Sequence, residues 1–197
     1  MLLIVSGYWF IGPAVFQKTD GKIAFTSKIL LAPYLLGQQL YLHSYYKKCR
    51  PWDEPVPGLL IGRKLSAQEA RRAVNEGVTA VVDMTAEFSE VLPFRKLAYL
   101  NLQTLDLTAP HPAYLQQGVE FISNEIQAGK VYVHCKIGYS RTAAMAGTYL
   151  IHSGTVRSVD EAVALLKKAR PSLIVRPEAR EVLEVFYAAR KGQQEET

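Results

Sequence analysis

Residues 131–154 constrain the fold more tightly than any other stretch of the chain. VYVHC is a run of β-branched and aromatic residues with the length of a buried strand. KIGYSRT is a turn carrying one glycine, and AAMAGTYLIHSG reads as an amphipathic helix that stops at Gly154. A strand that passes through a short loop directly into a helix belongs to a layered α/β architecture, with the helix packed back on the sheet. The same stretch leaves a lone cysteine, Cys135, at the carboxyl end of the strand and Arg141 on the first turn of the helix.

Strand and helix patterns alternate through the rest of the chain. GLLIGR suggests a strand, SAQEARRAVNEG a helix from Ser66 to a stop at Gly77, and VTAVVDM a second strand. AYLNLQTLDL reads as a third strand and PAYLQQGVEFISNEIQAG as a helix ending at Gly129. SVDEAVALLKKAR and PEAREVLEVFYAARK close the chain as helices, the first with Ser158 as cap and Glu161 in capping-box position. The expected fold is α/β, a central and mostly parallel sheet flanked by helices, with an apolar N-terminal extension. The expected divisions are a basic apolar membrane-associating segment over 1–50, a proline-rich connector over 51–57, one catalytic-sized domain over 58–191 and a polar tail over 192–197.

Charge separates the N-terminal segment from the rest. The net charge is +5, and residues 1–50 account for all of it, with six basic residues against Asp20 alone. A nucleic-acid-binding domain carries its basic excess on the folded body, so this distribution argues against that class. The segment also holds two uncharged apolar runs, residues 1–16 and 29–42. Sixteen helical residues reach about 24 Å, short of a hydrocarbon core of roughly 30 Å, and Pro13 and Pro33 interrupt both runs. No basic residue precedes the first run, as a secretory signal would require. Lysines follow each run, which favours a body on the cytoplasmic side. Membrane contact, by an interfacial anchor or by the remnant of a span beginning upstream of Met1, is preferred over packing of both runs as extra core. On that reading residues 1–48 are removable without loss of activity. Two cysteines, Cys49 and Cys135, make no disulfide framework, and four histidines show no zinc-ligand spacing, so a reducing compartment is expected.

Sites in open α/β sheets form at the carboxyl ends of strands. There the helix following Cys135 presents unpaired N–H groups and a positive dipole end. A curled loop over Lys136, Ile137, Gly138, Tyr139, Ser140 and Arg141 would point its amides at one tetrahedral oxyanion, with Gly138 allowing the curl. Arg141 supplies a planar fork for two oxygens. The same field favours the thiolate of Cys135, a nucleophile at the floor of a phosphate cradle.

HCKIGYSRT resembles the His-Cys-x5-Arg-(Ser/Thr) signature of the cysteine-dependent phosphatases, in the dual-specificity branch. Over roughly 58–190 the chain is similar to the mitochondrial phosphatidylglycerophosphate phosphatase type. The resemblance implies a dual-specificity phosphatase fold and hydrolysis of a phosphomonoester through a phosphocysteine at Cys135, with neither metal nor cofactor. It implies that Asp106, 29 residues upstream in LDLTAPHP, is the general acid, in preference to Asp83 in VVDMTAE. It further implies that Thr142 stabilises the thiolate and that His134 holds the loop through backbone hydrogen bonds, while the residues place the charge of Lys136 at the pocket lip. The expected partners are a phosphorylated lipid or phosphoprotein substrate and a membrane surface, with no nucleic acid. A membrane-anchored protein phosphatase and an idle phosphate-binding scaffold are the alternatives. Phospholipid-acting members often carry a basic residue where this chain has Tyr139, which argues against a highly charged inositol headgroup. The compact span from Gly58 to Cys135 offers no insertion for a deep tyrosine slot, so a shallow pocket is expected.

Overall fold

The structure is a computed structural model that describes residues 11–46 and 49–195, with side chains placed as far as residue 192. The strands are β1 (Lys18–Thr19), β2 (Lys22–Ile23), β3 (Trp52–Val56), β4 (Leu59–Arg63), β5 (Val78–Thr85), β6 (Ala98–Thr104) and β7 (Lys130–Cys135). The helices are α1 (Phe25–Leu30), α2 (Ala32–Tyr46), α3 (Ala67–Asn75), α4 (Leu92–Arg95), α5 (Pro112–Glu125), α6 (Ser140–His152), α7 (Val159–Ala169) and α8 (Pro177–Glu195). The main sheet has the order β3-β4-β7-β5-β6. β4, β7, β5 and β6 are parallel, and β3 pairs antiparallel with β4, so the sheet is mixed.

Period-two alternation sorts the sheet residues to two faces. Leu59, Ile61, Val131 and Val133 face α5, α6, α7 and α8, while Leu60, Val81 and Tyr132 pack with Ala70, Ala73 and Phe94 of α3 and α4. β7 lies in the middle, covered on both faces, which is why VYVHC reads as a continuous apolar run. Helix starts follow their caps. The Ser66 hydroxyl accepts from the Glu69 N–H and the Glu69 carboxylate accepts from the Ser66 N–H. At α7 the Ser158 half of the expected box forms, but the Glu161 carboxylate accepts from the Arg157 N–H instead.

Two expectations are corrected. The proline-rich stretch read as a connector contains β3, an edge strand, where a proline without a donor is tolerated. The N-terminal segment is not set apart from the domain over residues 12–46. Phe16, Ile23 and Leu31 are buried against Ala86 and Leu105, and Leu42 is buried too. Burying each such side chain is worth roughly 1.5–3 kcal/mol. The Lys18 ammonium enters the interior and donates to Asp83 Oδ2 at 2.6 Å and to the Thr85 carbonyl at 2.8 Å. The reading of 1–48 as removable therefore fails for this part, because a lysine and four apolar side chains belong to the core. Residues 1–10 of the first apolar run lie outside the described residues. Among the described residues no helix is long and apolar enough to cross a membrane.

Candidate active site

β7 delivers Cys135, buried, to the floor of a cleft, and α6 begins five residues later. Gly138 has φ +74°, and a Cβ there would stand 2.5 Å from the Gly62 carbonyl carbon, so both the torsion and the space demand glycine. The loop is tied down from outside. The Lys64 N–H donates to the Lys136 carbonyl at 3.1 Å. Arg170 Nη2 donates to the Ile137 carbonyl at 3.4 Å, and the Arg176 N–H donates to Ser140 Oγ at 3.0 Å. Arg170 is itself buried and paired with Asp53 of β3 at 2.7 Å, so the edge strand helps to hold the loop. Tyr139 stands at the cap of α6 and lines the cleft beside Ile137.

Arg141 is buried, and its fork is aimed by Glu87: Nη1 donates to Oε2 at 3.0 Å and Nη2 to Oε1 at 2.8 Å. Nη1 also donates to the Thr104 carbonyl at 2.8 Å and Nη2 to Asp106 Oδ1 at 3.1 Å. Burial alone would lower the pKa of this guanidinium, but Glu87 and then the cysteine beside it raise it. β6 ends at Thr104, three residues short of where the strand was expected to end, so Asp106 lies on the loop that follows. It accepts from Lys136 Nζ at 3.0 Å as well as from Arg141. Burial would raise its carboxyl, but Arg141 and Lys136 outweigh that and hold it below the ordinary aspartate range. Lys136 is buried instead of solvated at a lip, its ammonium 4.3 Å above the Tyr41 ring.

Asp83, the competing acid, is fully buried beneath the loop and does not line the cleft. Burial raises its carboxyl, but Lys18 and His134 bring it far below the ordinary range. His134 Nδ1 lies 3.3 Å from the Cys135 carbonyl, to which it can only donate, and its Nε2 lies 2.9 Å from Glu90 Oε2. Asp83, Glu90 and His134 bring one ligand atom each within 4.8 Å of one another, a grouping that resembles a metal site. Lys18 at 2.6 Å from Asp83 and Lys64 at 3.3 Å from Glu90 already neutralise both carboxylates, so the group fits a buried ion network better than a cation. Thr142 Oγ1 is buried with no hydrogen-bond partner among the described residues.

The cleft has a volume of about 240 Å³ and is bordered by Cys135, Arg141, Asp106 and Tyr139, with Tyr41 and Tyr45 reaching in from α2. Sequence reasoning missed these two tyrosines because Tyr41 belongs to an uncharged run that reads as membrane-seeking and Tyr45 lies just beyond it. It missed Glu87 as well, although TAEFSE directly follows a strand and so lies at the carboxyl edge of the sheet, where partners of a site collect.

The catalytic-domain model of the dual specificity phosphatases matches residues 59–188, more than half of the chain. The chain belongs to the dual-specificity phosphatase family. As a dual-specificity phosphatase it is a cysteine-dependent phosphoric monoester hydrolase. Phosphatidylglycerophosphatase and protein-tyrosine phosphatase 1 of Homo sapiens is 33% identical over 150 residues, 70% of this chain and 74% of the relative. The Rattus norvegicus protein of the same name is 33% identical over 139 residues, 66% and 72% of the two chains. Phosphatidylglycerophosphate phosphatase PTPMT2 of Arabidopsis thaliana is 28% identical over 166 residues, 81% and 72%. The crystal structure of PTPMT1 superposes with a TM-score of 0.66 at 30% identity, covering 74% of this chain and 99% of that one. The family match of this dual-specificity phosphatase begins after β3, so the antiparallel β1–β2 hairpin, α1 and α2 lie outside it.

Proposed function

We propose that the protein hydrolyses the phosphomonoester of an anionic membrane phospholipid such as phosphatidylglycerophosphate, through a phosphocysteine at Cys135. The observation that carries this reading is the convergence of Cys135, Arg141 and Asp106 on one cleft whose mouth is bordered by the exposed apolar side chains Tyr41, Leu107 and Ile174. The loop amides from Lys136 to Arg141 and the Arg141 guanidinium take the non-bridging phosphate oxygens. The Cys135 thiolate attacks phosphorus, the bond to the leaving oxygen breaks, and Asp106 gives that oxygen its proton. Water then attacks the phosphocysteine, Asp106 takes a proton from it, and the S–P bond breaks to return the thiolate. Thr142 Oγ1, without a protein partner, is available to donate to that thiolate. His134 and Glu87 position the loop and the guanidinium.

Before substrate arrives, Asp106 occupies Arg141. The incoming phosphate replaces it there, and the carboxyl then regains the proton affinity that Arg141 had suppressed. Relatives named for phosphatidylglycerophosphatase activity and a structural neighbour in complex with PI(5)P support a lipid phosphate. Free Cys49 and Cys135 support a reducing, cytoplasmic-side setting, and the uncharged apolar runs support membrane association.

One observation favours a second reading. Tyr41, Tyr45 and Tyr139 make the cleft more aromatic-walled than the shallow pocket expected from sequence, as a phosphotyrosine ring would need. The deciding experiment compares catalytic efficiency on phosphatidylglycerophosphate in bilayers with that on phosphotyrosine peptides at one ionic strength. A lipid preference is expected; a peptide preference of tenfold or more overturns the lipid reading.

A further inference from the structure

Helix α2 carries no charged residue and has apolar side chains on both sides, beside the exposed polar Gln39, His43 and Ser44. Its inner side buries Leu42 and carries Tyr34 and Leu35 against the core, yet its outer side exposes Leu36 at 61% and Leu40 at 65%, and no Asp, Glu, Lys or Arg occurs from residue 29 to 46. A surface helix is expected to turn charged residues outward, and one that does not has a second apolar neighbour. α1 continues the pattern, with Phe25, Ile29 and Leu30 all exposed. Of the eleven exposed large hydrophobic side chains among the described residues, six fall within residues 25–41. Two more, Leu107 and Ile174, border the cleft that holds Cys135. Tyr41 joins the two groups, since it is half exposed on α2 and lines the cleft. The apolar patch and the mouth of the cleft are therefore one surface.

We propose that this surface, the outer side of α1 and α2 continuing into Leu107 and Ile174, lies in the interface of an anionic phospholipid bilayer and holds the cleft open toward the headgroups. The proposal rests on the lipid reading above and adds where the bilayer sits. Charge selects this occupant. No acidic residue occurs between Asp20 and Asp53, while Lys22, Lys28, Lys47, Lys48 and Arg50 do, and basic residues next in sequence to apolar helices are what an anionic leaflet attracts. Length sets the mode of contact, for the fifteen residues of α2 rise about 22 Å, too short to cross a core of roughly 30 Å. The helix is also fixed in orientation. Lys18, buried on Asp83, and the buried Phe16, Ile23, Leu31 and Leu42 clamp the whole segment to the catalytic body. Membrane contact through α2 thus orients the cleft, which a flexible tether would not do.

The test uses the full chain and sedimentation with vesicles of phosphatidylcholine containing phosphatidylglycerol. Leu36→Gln together with Leu40→Gln should weaken vesicle partition by about tenfold or more and leave turnover of a soluble aryl phosphate unchanged. In a second variant, Leu40→Trp, the added emission should be quenched by brominated acyl chains. Unchanged partition, or no quenching, overturns the proposal. So does the appearance of a dimer that the Leu36 and Leu40 substitutions abolish, which would make the patch a contact between copies. The lipid-substrate reading fails separately, if wild-type protein that binds vesicles does not hydrolyse phosphatidylglycerophosphate in them.

Discussion

Asp106 stands between two cations, and both bear on when it can give up a proton. With Arg141 at 3.1 Å and Lys136 at 3.0 Å its carboxyl is held below the ordinary range, so in the free protein the acid form survives only at low pH. A group with a depressed pKa loses its proton as pH rises through the lowered value, so the basic limb of kcat/KM should lie on the acid side. Removing one cation by Lys136→Met relaxes the depression and should move that limb to higher pH in a pH–rate profile; an unmoved limb would dissociate Lys136 from the acid. Asp106→Asn should slow substrates with alkyl leaving groups by about 10²–10⁴-fold and substrates with good aryl leaving groups far less. A uniform loss across leaving groups, or a larger loss at Asp83, would place the acid elsewhere. His134, Cys135, Gly138, Arg141 and Asp106 were all legible in the sequence because each sits in or at a fixed distance from one local pattern. Glu87 was not, since a carboxylate that aims an arginine 54 positions away leaves no local spacing.

The N-terminal elements show what sequence reading loses at the next scale. Uncharged runs such as 29–42 satisfy the description of a membrane anchor and of a core helix equally, because periodicity cannot separate an apolar neighbour made of protein from one made of lipid. The structure divides the run by side, with Leu31 and Leu42 inward and Leu36 and Leu40 outward. The β3 strand escaped for a related reason: three prolines mark an edge strand as readily as a connector. In contrast, β4 to β7, α3 and α5 to α8 were visible through caps, glycine stops and alternating faces, whereas the four-residue α4 carries too little periodicity to read. The hairpin that carries Lys18 yields the prediction at this scale. Lys18→Met leaves Asp83 buried without its main cation and should cost about 3–5 kcal/mol in urea unfolding. Asp83→Asn in that background should recover part of the loss. Because the Asp83 pKa is depressed, the wild-type contribution is present at neutral pH and is lost only as pH falls below the ordinary carboxylate range toward the lowered value. A Lys18→Met protein as stable as wild type would mean that the hairpin does not anchor the segment.

Across the whole molecule, residues scattered from Lys18 to Arg176 meet at one loop at the centre of the sheet. Lys18 and His134 lie beneath it, Arg170 and the Arg176 N–H tie its outer side, Glu87 aims its arginine, and α2 walls the space above. The parallel order β4-β7-β5-β6 makes this possible by bringing three strand ends, after Arg63, Thr85 and Cys135, side by side. Sequence alone supplied the middle of that arrangement and its chemistry, but the surroundings depend on which strands neighbour β7, and that is a property of topology. The central claim is that this loop exists to place a cysteine in line with phosphorus, and Cys135→Ser should accordingly lose turnover while still binding a phosphate analogue. The most direct measurement is rapid acid quench of Asp106→Asn protein during turnover of an aryl phosphate, followed by peptide mass analysis. The mass of one phosphoryl group on Cys135, absent from the Cys135→Ser protein, is the predicted result; a phosphoryl group on any other residue, or none during active turnover, would contradict it.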